Sequence, residues 1–215
     1  NFSLFFGLAV QLYESTLISD NSPFDKFQEG DSSAMTTQQL DGLDIFLNDG
    51  GCTNCHNSPL FTAGDFQQVG LRPVEEDVGN GGGNFKVPSL RNVELAGPFF
   101  HNGGQASLRQ IIEFYNRGGD FADGNGISPL GLSPERIDAL VAFLKALTDD
   151  RVRFERAPFD HPQLFVPNGH PGNENAVVND GTGKATDEIK EIFAVGAFGR
   201  ALNNPLKSFE DILAP

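Results

Sequence analysis

The chain of 215 residues contains no tryptophan, one methionine, two tyrosines and two cysteines. So few cysteines exclude a disulfide framework, and none is needed: a chain of about 150 residues already buries roughly 70% of its extended surface. Basic residues are also scarce, 15 Lys and Arg against 29 Asp and Glu, for a formal charge of −14. This argues against nucleic-acid binding, because a phosphate backbone is held by clustered Lys and Arg and none cluster here. The acidity reads first as a solvated surface, and any charged partner is expected to be basic. Long apolar runs are missing too. The most apolar stretch, residues 2–18, carries Gln11 and Glu14 and falls short of the about 20 apolar residues of a membrane span. No methionine opens the chain at Asn1, so a trimmed chain that has lost any targeting segment is expected. What the chain does have is core material, 20 Phe and 39% apolar residues, interrupted by 25 Gly and 13 Pro. That mixture fits one soluble domain with a modest appendage, a few helices and much irregular chain.

Both cysteines fall in one short run, Cys52-Thr53-Asn54-Cys55-His56. C-x-x-C-H is the attachment site of c-type haem. Two thiols at this spacing add to the two vinyl groups on one edge of the porphyrin, and the imidazole that follows swings under the ring to bind iron. A redox dithiol would need a βαβ context, and a zinc site a further ligand group; the sequence offers neither. One motif allows one covalent haem, and attachment of this kind places the chain in a periplasmic or otherwise extracytoplasmic compartment.

The surroundings of the motif read as helical. Residues 36–48 open with a capping box, Thr36 with Gln39 three residues on, and put Leu40, Leu43, Phe46 and Leu47 on one face before Gly50-Gly51. Residues 108–115 place Leu108, Ile111, Ile112 and Tyr115 on one stripe and stop at Gly118-Gly119. A third helix starts at Ser133 as cap with Pro134 in its first position and runs through Ile137, Leu140, Val141, Leu144 and Leu147. Turns rather than strands are expected between these helices. The glycine-rich run from Asn80 to Asn84 lacks the lysine and the spacing of a phosphate-binding loop. Turn residues crowd the tail around Pro167-Asn168-Gly169-His170-Pro171-Gly172 and Asn179-Asp180-Gly181. The expected fold is all-α: a cytochrome c-like haem domain over residues 33–157 with long irregular loops. A connecting helix and linker over residues 1–32 precede it, and an irregular C-terminal extension over residues 158–215 packs on it.

With His56 as the proximal ligand, the sixth iron position stays open to several groups. The usual partner is methionine, but Met35 stands before the helix that leads into the haem motif. The remaining groups are His101, His161, His170, Tyr13 and Tyr115, or an open position. Tyr115 is the best of them, because its stripe faces the core and a buried phenol needs a partner for its oxygen. On periodicity alone it reads as well or better as an ordinary core aromatic bonded to water or a carbonyl.

A wider set of motifs resembles the bacterial di-haem cytochrome c peroxidases and their MauG-like relatives. The resemblance rests on Leu17-Ile18-Ser19 with Ser22-Pro23-Phe24-Asp25, on the haem motif, on Phe85-Lys86-Val87-Pro88-Ser89-Leu90-Arg91-Asn92-Val93, on Gly97-Pro98-Phe99-Phe100-His101-Asn102-Gly103, and on Phe114-Tyr115-Asn116-Arg117-Gly118-Gly119. It covers nearly the whole chain, which looks like the connecting segment and the second haem half of such a protein. The resemblance implies that Tyr115 stands where the peroxidases carry a methionine ligand and MauG-like members a tyrosine, giving a haem of low potential or one suited to storing oxidising equivalents. It further implies haem contacts for Pro88 and His101, with Lys86 and Arg91 meeting the propionates. Calcium would be bound through the backbone carbonyls of Ala96 and Pro98. The half that carries the peroxide-binding haem in this family, and the tryptophan between its haems, are not in the chain. The implied function is that of the electron-transfer half of an oxidoreductase that reduces hydrogen peroxide. It would work with a second haem-bearing domain or chain and take electrons from a small redox protein or a protein side chain. The alternative is a mono-haem electron carrier without catalysis of its own.

Overall fold

The computed structural model describes residues 1–121, 126–168, 177–179, 181–182 and 185–214. Within them lie seven α-helices: α1 Phe2–Glu14, α2 Pro23–Gln28, α3 Thr37–Leu47, α4 Leu108–Asn116, α5 Pro134–Lys145, α6 Asp150–Arg153 and α7 Phe209–Leu213. Six short strands accompany them: β1 Phe66–Gln67, β2 Phe85–Lys86, β3 Leu164–Pro167, β4 Val177–Asn179, β5 Ala185–Asp187 and β6 Ile189–Ile192. They form three two-stranded antiparallel sheets, β1 with β2, β3 with β6 and β4 with β5. The all-α expectation is therefore corrected, as is the expectation of turns alone between the helices and of an irregular tail. Strands of two to four residues are too short to print a period-two pattern, and β3 and β6 expose most of their side chains. His170 and most of the turn around it lie outside the described residues, as does Asp180.

The chain divides into two compact units, Ile18–Arg153 with Leu206–Pro215, and Asn1–Leu17 with Phe154–Pro205. The first unit owns the hydrophobic core. Phe24, Phe46, Phe61 and Phe143 pack in mostly edge-to-face contacts at 5.1–6.3 Å between ring centroids, the geometry aromatic quadrupoles prefer. Helix α3 meets α5 at Gly42, where a Cβ would fall 2.0 Å from the Ala139 carbonyl oxygen, so only glycine permits the approach. This contact turns α3 from the expected face: Gly42, Ile45 and Phe46 are buried, whereas Leu47 is half exposed. The expected caps of α3 and α5 form, Thr36 accepting from the Gln39 amide and Ser133 from the Arg136 amide. Met35, 4% exposed, belongs to the core.

A polar knot closes the same unit. Fully buried Asp149 accepts from the Asn21 amide and from Arg151, while its own amide donates to the Asn92 side chain. Asn92 in turn bonds Ser19. Burial by itself would raise the Asp149 carboxyl, but its bonds to Arg151 and the Asn21 amide outweigh it and hold the group below its ordinary range.

The second unit holds α1 and the β3–β6 and β4–β5 ribbons. Helix α1 buries none of its side chains, although Phe2, Leu4, Phe5, Phe6, Leu8 and Leu12 make it largely apolar. Backbone and charge pairing hold the remainder: His161 and Val195 exchange amide bonds, and Glu155 pairs with Arg200 and His161. No helix among the described residues is long and apolar enough to cross a membrane.

Candidate haem centre

The attachment motif is a single tight turn. Helix α3 ends at Leu47 with Asn48 as its cap, Gly51 takes a left-handed φ of 59°, and Cys52–Asn54 form one turn of 3-10 helix. The amides of Cys55 and His56 both donate to the Cys52 carbonyl, at 3.2 and 2.8 Å, so both thiols and the imidazole project from one loop of backbone. Burial pushes the Cys52 thiol up to about 11, and burial followed by the charge of Asp65 raises Cys55. A redox-active C-x-x-C pair needs the opposite shift, toward thiolate at neutral pH.

His56 is half-buried, and its Nδ1 lies 2.9 Å from the Phe61 carbonyl oxygen. A carbonyl only accepts, so Nδ1 carries the proton and Nε2 keeps a lone pair for a metal. Burial lowers the affinity of the ring for a second proton, an effect that the Phe61 and Pro88 backbone partly offsets. Phe61 reaches this position at φ 54°, a backbone conformation that a bulky residue rarely adopts. There its carbonyl faces His56 while its ring fills the core at 2% exposure. The loop after the motif is stitched down on both sides. Ala63 donates to the Cys55 carbonyl at 2.7 Å, Thr62 to the Val87 carbonyl at 2.7 Å, and Ser89 to the Leu60 carbonyl at 2.6 Å.

Arg91 completes this scaffold. Its guanidinium forms a two-bond pair with Asp25 at 2.8 and 2.9 Å and donates through Nε to the Pro59 carbonyl at 2.9 Å. Burial opposes the Asp25 charge, yet Arg91 and Ser22 together hold its carboxyl below the ordinary range. Three of the five Arg91 donors are thus spent on protein. Lys86 is exposed, sits opposite Phe66 in the β1–β2 ribbon and makes no ion pair among the described residues. His101 pairs with Asp77 and stacks on Phe85 at 3.5 Å with the rings 7° from parallel. Ala96 and Pro98 are exposed on the turn after a short 3-10 helix, Val93–Leu95. No group of three or more His, Cys, Asp or Glu among the described residues is arranged to hold a metal ion.

Tyr115 lies in the last turn of α4, packed against Phe114 and Phe100 at centroid distances of 5.4 and 6.4 Å. Its phenol is raised above the ordinary tyrosine range, first by burial and then by negative charge at Cys55 and Cys52. The fold thus brings the phenol within electrostatic reach of both sulfurs. Its ring keeps partial solvent exposure amid dense protein, and its hydroxyl has no hydrogen-bond partner among the described residues. His161 and Tyr13 belong to the other unit, His161 being bonded to Glu155 and to the Pro162 carbonyl. The roles of Phe61 and Asp25 went unread in the sequence. The sequence carries no mark of a positive φ at Phe61, whereas Asp25 stood within a recognised motif. Two thiols on one turn, an imidazole whose Nδ1 bonds the Phe61 carbonyl and a phenol without a hydroxyl partner among the described residues are a donor set that fits a covalent haem.

No protein-family model matches the chain. It is 36% identical over 174 residues to cytochrome-c peroxidase IdrP2 of Denitromonas iodatirespirans, covering 64% of this chain and 47% of that protein. It is 32% identical over 168 residues to the methylamine utilization protein MauG of Methylorubrum extorquens, covering 73% of this chain and 46% of that protein. Among solved structures, a MauG-like protein associated with microbial copper homeostasis superposes with a TM-score of 0.57 at 24% identity, over 66% of this chain and 55% of the other. The fold and the attachment turn define a c-type haem protein. The chain is a homologue of the bacterial cytochrome c peroxidases and MauG, and it spans about half the length of the curated relatives it matches.

Proposed function

We propose that this chain is the electron-transfer haem half of a di-haem peroxidase or MauG-like oxidase that reduces hydrogen peroxide in the periplasm. One observation carries the reading: Tyr115, packed on Phe114 and Phe100 in the last turn of α4, has no hydroxyl partner among the described residues and feels the charge of both sulfurs of the C-x-x-C-H turn. Cys52, Cys55, His56 and Tyr115 would hold the haem, which when bound would supply a one-electron couple, kept at low potential by an anionic oxygen donor. The residues of the chain prepare that couple. Cys52 and Cys55 form the two thioether tethers. The Phe61 carbonyl accepts a hydrogen bond from His56 Nδ1–H and so makes Nε2 the better electron-pair donor. Because burial disfavours the free phenolate, Tyr115 would serve as an anionic oxygen donor only with a metal charge beside it. The Arg91–Asp25 pair holds the Pro59 carbonyl and keeps the loop between His56 and Pro88 in register. Lys86, exposed and without an ion pair among the described residues, would meet a propionate. The electrons pass to a second haem-bearing domain or chain, where peroxide takes up two electrons and two protons to give two waters. They come from a small redox protein or a protein side chain.

The test is the holoprotein matured with covalent haem. One thioether-linked haem per chain is expected by intact mass and pyridine haemochrome. Tyr115→Met should raise the midpoint potential and abolish the tyrosinate-to-ferric charge-transfer absorption. A chain without thioether haem, or a spectrum unaltered in that variant, overturns the proposal. A holoprotein that consumes no peroxide when joined by a companion haem polypeptide leaves a mono-haem carrier instead.

A further inference from the structure

Phe100 and His101 occupy the turn that precedes α4, and the turn is built to one shape. Its base is closed by the Phe99 amide donating to the Gln105 carbonyl at 2.7 Å, with Phe99 buried in the core. Its end runs directly into the capping box of α4, where Ser107 and Gln110 bond reciprocally. Between those anchors Phe100 takes a φ of 60°. A non-glycine residue keeps a left-handed backbone only where its surroundings over-determine it, and such positions cluster at functional sites. Here the strained backbone lays the Phe100 ring against Phe114 at 4.9 Å and against Tyr115 at 6.4 Å. The next residue locks the turn from the other side, since His101 is paired with Asp77 and stacked flat on Phe85 of β2.

We propose that the Phe100–His101 turn is the positioning device of Tyr115: the Phe100 ring sets the plane and reach of the phenol, and His101, held by Asp77 and Phe85, fixes the turn. The inference rests on Tyr115 being the oxygen ligand of the haem. The same construction appears at the other candidate ligand, where Phe61 at φ 54° turns its carbonyl onto His56. Both candidate ligands are thus served by a phenylalanine in a backbone conformation that phenylalanine avoids. A ligand held in one orientation gives one coordination geometry, whereas a loosened ring samples several.

The experiment uses the holoprotein and reads the tyrosinate-to-ferric charge-transfer band and the electron paramagnetic resonance g-values. Phe100→Leu should shift the band and split the resonance into more than one species, and Phe100→Tyr, which keeps the ring, should restore the wild-type signature. Asp77→Ala should broaden the resonance in the same direction, while Asp77→Asn, whose amide oxygen still accepts from His101, should not. If Phe100→Leu fails to fold, the two Asp77 variants decide the matter. Wild-type spectra in Phe100→Leu or in Asp77→Ala overturn the positioning role. If Tyr115→Phe itself leaves the band unchanged, the ligand assignment fails and this inference falls with it, a result the Phe100 and Asp77 variants cannot mimic.

Discussion

The two units are held together in opposite ways. Every hydrophobic residue buried below a tenth of its surface, from Phe24 to Leu147, belongs to the unit that carries the haem motif. The other unit buries none among its described residues: its Phe165, Phe193, Phe198 and Leu202 are exposed, as are the apolar side chains of helix α1. Its order comes from ribbon hydrogen bonds and ion pairs instead. Burial of a large apolar side chain contributes about 1.5–3 kcal/mol, whereas an exposed ion pair contributes about 0–1 kcal/mol. The difference teaches that a rigid ligand scaffold is placed where the core is, and that equal apolar content does not mean equal burial.

That contrast can be broken at its strongest point first. Replacing both Cys52 and Cys55 by serine should abolish covalent haem altogether, read as loss of haem stain on a denaturing gel, because no other cysteine exists to take over. Next comes Phe143→Ala in the core, which should cost about 3–5 kcal/mol of stability in denaturant titration. Phe198→Ala, at a side chain 97% exposed, should change stability by less than about 0.5 kcal/mol. An effect between these two is expected at the helix contact. Gly42→Ala forces a methyl onto the Ala139 carbonyl and should cost about 1–3 kcal/mol, with a matching fall in melting temperature.

Acid sharpens the comparison further. Asp25 and Asp149 both titrate below the ordinary aspartate value of 3.8 in the folded chain, so the stability they contribute is complete above that value and is lost as pH falls through their depressed range. Unfolding monitored below about pH 4 should show this loss, and Asp149→Asn should make it shallower. A small gain is expected in α1. A Cβ at Gly7 meets nothing within 4 Å, so Gly7→Ala should stabilise that helix by about 0.5–1 kcal/mol, visible as a slight gain in helical circular dichroism. A large loss there would mean that α1 is packed as tightly as α3.

Much of the core unit was legible because its signals are local. Thr36 with Gln39 and Ser133 with Pro134 announce helix starts within four residues, and the spacing of Cys52, Cys55 and His56 announces the haem turn. The face of α3 was misread at Leu47 because Gly42, a residue without hydrophobic weight, decides which side approaches α5. The strands were missed because two to four residues carry no periodicity, and because β1 and β2 are joined across the intervening glycine loop.

By itself the sequence determined the chemistry available: two thiols and an imidazole at haem-attachment spacing, a single methionine, a shortage of positive charge and the caps of the principal helices. These are properties of neighbouring residues, set by covalent spacing and local hydrogen bonding. Only the tertiary structure decided that Met35 packs in the core, that Arg91 is bound to Asp25, that Phe61 presents its carbonyl to His56, and that Tyr115 packs against Phe100 and Phe114. Such outcomes depend on which distant surfaces bury one another, and burial is a property of the folded chain rather than of any stretch of it.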